Sequence, residues 1–211
     1  MKIINPYFEI MGLVDGKALL KHIERCGRVC YKSEDKITET SAQTFVGNII
    51  KRGHEAVLEH ASVTVKFVVD RGVSHEIVRH RLAAYCQEST RYCNYSKDGF
   101  GGEITVIKPR YLEEGTRAFA RWRAACEDAE KAYFSLLDQG NTPQEARAVL
   151  PNSLKTEVVM TANLREWRHF FKLRTAPAAH PQMREVTIPL LRRFQELIPV
   201  VFDDLEPEGQ A

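Results

Sequence analysis

The chain has 211 residues, 44% of them hydrophobic and 27% charged, with a formal net charge of +2. This length supports a sizeable buried core, and the composition excludes collagen-like, low-complexity and disordered classes. The near balance of charge argues against a generic nucleic-acid binder with a basic surface, so any anion site must be a local cluster.

No apolar run approaches the ~20 residues of a membrane-spanning helix. The opening stretch MKIINPYFEI lacks the apolar segment and small-residue cleavage site of a signal peptide. A cytoplasmic protein with no membrane or nucleic-acid partner is expected. The five cysteines, at 26, 30, 86, 93 and 126, are odd in number and show no CxxC spacing. Neither a disulfide framework nor a zinc ribbon is predicted.

In chain order, Asp15 is placed to cap a helix through GKALLKHIERCGRVC, where Leu19, Leu20 and Ile23 recur at helical spacing. TSAQTFVGNIIKRG reads as a second amphipathic helix, from a threonine or serine cap to a closing Gly53. SVTVKFVV, 62–69, is β-branched and alternating and predicts a strand. SHEIVRHRLAAY predicts a helix capped by Ser74, with Ile77 and Val78 buried. STRYCNY and EITVIK predict two strands, joined by a hairpin turn in SKDGFGGE.

The longest helical pattern covers 115–139 and closes at Gly140; Thr142 and Pro143 open a shorter helix ending near Pro151. KTEVVMTAN, 155–163, alternates like a strand. LREWRHFFKLR predicts a helix, and PQMREVTIPLLRRFQELIPVVF a last long one interrupted near Pro189. With no repeat, linker or composition shift, the expected architecture is a single α+β domain over 1–211.

The densest cluster of cations is Arg79-His80-Arg81, followed by Ser89 and Arg91. On a regular helix, consecutive side chains lie about 100° apart, so Arg79 and Arg81 would diverge toward two ligands or two ends of a long one. On a strand, Ser89 and Arg91 would share a face, and a hydroxyl beside a guanidinium suits phosphate. A solvated basic turn is the plain alternative for Arg79-His80-Arg81 alone.

GHEAVLEH, 53–60, places His54 and His60 six apart rather than the four of a helical zinc motif, so no metal is expected. His54 and Glu55 could line a pocket, and His60 could be a hydrogen-bonded core residue. Arg165 and His169 share one face of the 164–174 helix; its basic face otherwise reads as solvated. Cys86 and Ser89 are conceivable nucleophiles, but neither has an obvious base. Cys86 reads as a bystander and Ser89 as a binding residue.

Arg79-His80-Arg81, seven intervening residues and Ser89 reproduce the RHR-x7-S signature of the flavin-dependent thymidylate synthases. GHE and EH within 53–60, ARAVLP (146–151), TANLREW (161–167) and KLRTAPAAHPQMRE (172–185) stand in the order of that family. The chain therefore resembles it over most of its length. The resemblance implies a central, mainly antiparallel sheet flanked by helices, and a non-Rossmann flavin-binding fold, in keeping with the lack of GxGxxG.

It also implies reductive methylation of dUMP to dTMP, with FAD as cofactor and NADPH and 5,10-methylenetetrahydrofolate as co-substrates. A homotetramer with shared active sites is implied as well. Glu76, Ile77, Val78, Arg79, Gln87, Glu88, Ser89, Thr90, Arg91, Arg147 and Arg174 match dUMP-binding positions. His54, Ala56, Arg79, His80, Arg81, Gln87, Asn163, Leu164, Arg165 and His169 match FAD-binding positions. Ala56 stands where serine or threonine is usual, and His169 where asparagine also occurs. Arg174 matches the residue that polarises the uracil, which makes a covalent enzyme nucleophile unnecessary.

Overall fold

The computed structural model describes residues 1–207, except the side chain of Asp98; residues 208–211 of the expected 1–211 domain lie outside the described residues. Among the described residues, six strands run Lys2–Ile4 (β1), Tyr7–Met11 (β2), Ser62–Asp70 (β3), Ala83–Gln87 (β4), Thr105–Ile107 (β5) and Lys155–Asn163 (β6). The longer helices are Gly16–Val29 (α1), Ser41–Lys51 (α2), Arg71–Ile77 (α3), Arg117–Asp138 (α4), Leu164–Arg174 (α6) and Pro181–Leu197 (α7). Pro143–Ala146 (α5) and Pro199–Phe202 (α8) are single turns. Strands β2-β3-β6-β4 form one sheet in that order. The architecture is mixed α/β, with an antiparallel sheet flanked by helices, as expected.

The chain divides into two compact units of discontinuous segments. One comprises Met1–Tyr7, Phe67–Arg79 and Tyr85–Val159. In it, β1 pairs with β5 in parallel, with Ile3 opposite Val106. Helix α4 is capped by the Thr116 hydroxyl, which accepts from Phe119 N. Its core gathers Tyr95, Ile104, Val106, Cys126, Tyr133, Ala146 and Leu154. Burying such side chains stabilises the unit by about 2 kcal/mol each.

The other unit comprises Phe8–Lys66, His80–Ala84 and Met160–Ala211. Asp15 caps α1 by accepting from Ala18 N, and Gly53 follows α2 with φ +71°, the left-handed conformation that favours glycine. On α6, Leu164, Trp167, Phe170 and Phe171 recur at helical spacing and are fully buried. Phe194 meets Trp167 and Phe171, and Phe202 meets Phe171, with ring centroids 5.1–5.8 Å apart.

Several expectations are corrected. Helix α3 ends at Ile77, its N-cap is Asp70 rather than Ser74, and 83–87 is strand β4. The Tyr85 hydroxyl donates to Ile77 O at 3.0 Å, tying the strand back to the helix end eight residues earlier. Residues 78–82 make the connection between them. Residues 89–95 form turns, because Ser89 O accepts from both Tyr92 N and Cys93 N. No hairpin joins them to β5, whose partner is β1.

Pro189 does not interrupt α7. Buried Val186, Ile188, Leu190 and Leu191 along this helix offset the ~3 kcal/mol that an interior proline costs. Strands β1 and β2 carried too short an alternation to be read in advance. Among the described residues, no helix is long and apolar enough to cross a membrane.

Candidate active site

In the first unit, the end of β4 is fixed through Gln87. Its amide donates to Ser74 Oγ at 3.1 Å and to Thr156 Oγ1 at 3.3 Å. Glu88 N donates to Glu157 O at 2.9 Å. The Glu88 carboxylate accepts from Lys155 Nζ at 2.8 Å and from the Tyr95 hydroxyl at 3.2 Å. Burial alone would lower the Lys155 pKa, but hydrogen bonds to Glu88 and Glu157 hold it above the ordinary lysine value. Burial, and then the Glu88 charge, push the Tyr95 phenol up. Lys155 and Tyr95 thus fix the Glu88 side chain at the root of the 89–93 turn.

Ser89 Oγ accepts from Arg91 N at 3.2 Å, which leaves its hydroxyl hydrogen to donate. Arg147 Nη1 donates to buried Thr90 Oγ1 at 3.3 Å. The guanidinium of Arg91 lies over the Tyr92 ring, 5.4 Å from its centroid. Arg79, Arg91 and Arg147 are exposed, and among the described residues none of them forms an ion pair. Glu76 and Val78 are half-buried, while Ile77 is fully buried and offers a ligand only backbone. The Ser89/Arg91 pairing is therefore made by a turn and not by a shared strand face. Neither Ser89 nor exposed Cys86 hydrogen-bonds a histidine.

In the second unit, Asn163 caps α6 by accepting from Glu166 N at 2.9 Å, and Leu164 N donates to Ala61 O. Arg165 and His169 are exposed on one side of this helix, as the spacing predicts. Arg165 pairs with Glu59 at 2.6 Å. His54 is exposed, with its Nδ1 3.3 Å from the Tyr31 hydroxyl, and Ala56 is exposed in the 3-10 turn Glu55–His60. His60 is exposed and not a core residue.

Arg168 is not on a solvated face. It is buried, pairing with Glu55 at 3.1 Å and with both Asp204 oxygens at 2.6 and 2.7 Å, and it also donates to Val201 O.

His80 is only 4% exposed, whereas Arg79 and Arg81 on either side of it are exposed. Residues 79–81 lie beyond the end of α3, so the helical geometry behind the expected divergence does not apply. His80 Nδ1 lies 2.9 Å from Glu166 Oε1, and Arg174 Nε lies 3.1 Å from His80 Nε2. Phe170 and His169 pack edge-on against the ring, at 4.9 and 5.6 Å. An arginine Nε–H only donates, so Nε2 carries the lone pair and the Nδ1–H donates to Glu166.

Burial holds the His80 pKa below the usual histidine value; the Arg174 and His169 charges act the same way, and Glu166 opposes them. His80, Glu166 and His169 bring three potential metal-ligand atoms within 4.8 Å of one another, but the His80 lone pair is already taken by Arg174. Sequence reading missed Glu166 because Asn163-x-x-Glu166 reads as a helix-capping pattern. It missed Lys155 because alternation alone explains that strand.

Fold and clusters together define a mixed α/β protein with exposed arginines suited to anions and a buried histidine held between a carboxylate and an arginine. A family model described as thymidylate synthase complementing protein matches residues 13–200, and the chain belongs to that family. It is 34% identical over 204 residues to the flavin-dependent thymidylate synthase of Geobacter sulfurreducens, covering 90% of this chain and 86% of that one. With the protein of the same description from Mycolicibacterium gilvum, identity is 37% over 210 residues, covering 91% and 81%.

With the one from Pyrococcus abyssi, identity is 33% over 174 residues, covering 81% and 70%. The crystal structure of a UMP/dUMP methylase, PolB from Streptomyces cacaoi bound with 5-Br dUMP, matches at a TM-score of 0.77. Identity there is 24%, over 96% of each chain, a likeness of fold.

Proposed function

We propose that this protein is a flavin-dependent thymidylate synthase converting dUMP, 5,10-methylenetetrahydrofolate, NADPH and a proton to dTMP, tetrahydrofolate and NADP⁺. Membership of the family carries this reading. The donors left open in the first unit agree with a nucleotide monophosphate. Arg91, Arg147 and the Ser89 hydroxyl offer charge-assisted hydrogen bonds; Arg79, Gln87 and the 76–78 backbone complete the set proposed for dUMP. Glu88 is held by Lys155 and Tyr95 and orients the turn that carries Ser89 to Arg91.

The residues proposed for FAD carry groups that fit a flavin dinucleotide. Arg81 is exposed and, among the described residues, forms no ion pair. His54 and His169 add exposed imidazoles, and Asn163 and Arg165 retain N–H groups beyond those their present partners use. Arg79, His80, Gln87, Leu164 and Ala56, through its backbone, complete the proposed set. When bound, the flavin supplies the redox chemistry, and the folate supplies the carbon.

Arg174 is assigned to the uracil. A fixed guanidinium stabilises negative charge developing on the ring and so favours reaction at C5, and no residue need add covalently to the base. The same reading takes 1–211 as one functional domain, in a homotetramer that shares active sites between subunits.

The test is an anaerobic assay of flavin-loaded protein with dUMP, methylenetetrahydrofolate and NADPH, with dTMP measured by chromatography. Formation of dTMP that depends on flavin is expected. None from folded, flavin-loaded protein overturns the reading. Sedimentation of the same sample tests the tetramer.

A further inference from the structure

Glu166 is buried, 6% exposed, on a helix whose first turn does not need its carboxylate. Asn163 already caps α6 through its own side chain, and the Glu166 side chain is directed to His80. We infer that Glu166 is a positioning residue: by accepting the Nδ1 hydrogen of His80, it presents the Nε2 lone pair to Arg174 Nε and so sets where that guanidinium points. The kinetic consequence rests on the proposed role of Arg174 at the uracil. The tautomer does not.

The reasoning is one of donor and acceptor matching. A neutral imidazole has two tautomers, and the other one would aim an Nε2–H at the Arg174 Nε–H, donor against donor. Without an acceptor at Nδ1, nothing in the ring's hydrogen bonding favours the form that Arg174 requires. Glu166 supplies that acceptor in a dry setting, where a buried carboxylate itself needs a donor. Phe170 and His169 flank the ring and limit its tilt. The other end of Arg174 is also held, since Thr187 Oγ1 donates to its backbone carbonyl at 2.8 Å.

Protonating His80 would place a hydrogen on Nε2 and break the bond to Arg174. Among the described residues, the charged and titratable groups that bear on the ring include Glu166, Arg174 and His169, all from α6. Burial, the Arg174 charge and His169 resist protonation, and Glu166 favours it. Removing the Glu166 charge therefore moves this protonation to lower pH.

Two variants and one spectrum test the proposal. In protein labelled with 15N-histidine, His80 is assigned by the signal missing from His80→Asn. Wild type should show hydrogen on Nδ1 and none on Nε2 at pH 7.5. Glu166→Gln keeps an acceptor and should retain that tautomer, whereas Glu166→Leu should lose it. Wild-type His80 protonated on Nε2, or a tautomer unchanged in Glu166→Leu, overturns the inference whether or not the enzyme turns over.

In the dTMP assay, Glu166→Leu should lower kcat by about tenfold to a hundredfold, the cost of a misplaced catalytic group. Flavin content should be unchanged, and Glu166→Gln should restore most of the rate with its acid limb shifted to lower pH. Full kcat in Glu166→Leu, or an unmoved acid limb in Glu166→Gln, sinks the positioning role. If Glu166→Leu fails to fold, the Glu166→Gln profile and the wild-type spectrum still decide. A wild type that makes no dTMP refutes the proposed function, and the spectrum then judges Glu166 alone.

Discussion

Arg168 and Asp204 meet as a fork against a carboxylate, Nη1 at 2.6 Å from Oδ1 and Nη2 at 2.7 Å from Oδ2. The arginine side chain is 3% exposed and the aspartate 51%, so one member of the pair is dry and the other wet. Removing the wet partner's charge leaves a buried guanidinium facing Glu55 as its remaining carboxylate among the described residues, beside the Val201 carbonyl. Asp204→Asn is expected to destabilise the protein by about 1–2 kcal/mol, less than a fully buried pair would lose because of solvent screening. Urea denaturation at pH 7.5 measures it. Arg168→Lys should also destabilise, since an ammonium cannot reproduce the two-pronged contact.

The same pair carries a pH dependence. The Arg168 hydrogen bond holds the Asp204 pKa below its ordinary value. Its contribution is therefore present above the unfolded aspartate pKa and is lost as pH falls toward the folded one. His80 adds a second window with the same sign. Its folded pKa lies below the usual histidine value, so the unfolded chain takes up this proton more readily. Stability should fall as pH drops below about 6.5, the ordinary histidine pKa. Urea midpoints at pH 7.5 and 5.5 should differ less in His80→Asn than in wild type; an equal difference would exclude His80 as the source.

Substrate affinity should depend on the brace between Arg147 and Thr90. Arg147→Ala removes a charge assigned to the dUMP phosphate and is expected to raise KM for dUMP about tenfold or more. Thr90→Val removes the hydroxyl that accepts from Arg147 and should raise it by a smaller factor. Steady-state assays over a range of dUMP concentrations separate these effects from kcat.

Ser89 offers a sharper contrast. Its hydroxyl accepts from Arg91 N and has no histidine base, so Ser89→Ala should weaken dUMP binding by about fivefold, the worth of one hydrogen bond, while turnover persists. Abolished turnover with intact dUMP binding would restore a nucleophilic role. Cys86→Ser should leave kcat and KM as in wild type, because the thiol is exposed on β4 without an activating base.

Packing gives the last test. A methyl group added at Gly16 would run into Leu197 O, where the end of α7 meets the start of α1. Gly16→Ala should therefore cost about 1–3 kcal/mol through overcrowding, despite alanine's better helix propensity. A thermal melt showing a stabilised variant would refute the close approach.

Elements with a long, single periodicity were legible in the residues. The alternation of KTEVVMTAN matches β6 residue for residue, the apolar spacing of LREWRHFFKLR matches α6, and Asp15 caps α1 where its position before the helical pattern placed it. The signature of Arg79, His80, Arg81 and Ser89 also carried the family, because ligand chemistry constrains residue types at set intervals. The boundary after Ile77 was not legible. A few apolar residues suit helix and strand alike, and the Tyr85 bond to Ile77 O decides between them.

By itself, then, the sequence determined the amphipathic elements, the helix caps and the concentration of cations between 79 and 91, since these depend on neighbours a few residues apart. Only the tertiary structure decided that His80 is buried while Arg79 and Arg81 are exposed, that Arg168 is an internal cation, and that Glu166 belongs to His80. Each of these turns on partners 33 to 113 residues away in the chain. Local spacing carries no record of which distant acceptor a donor will meet.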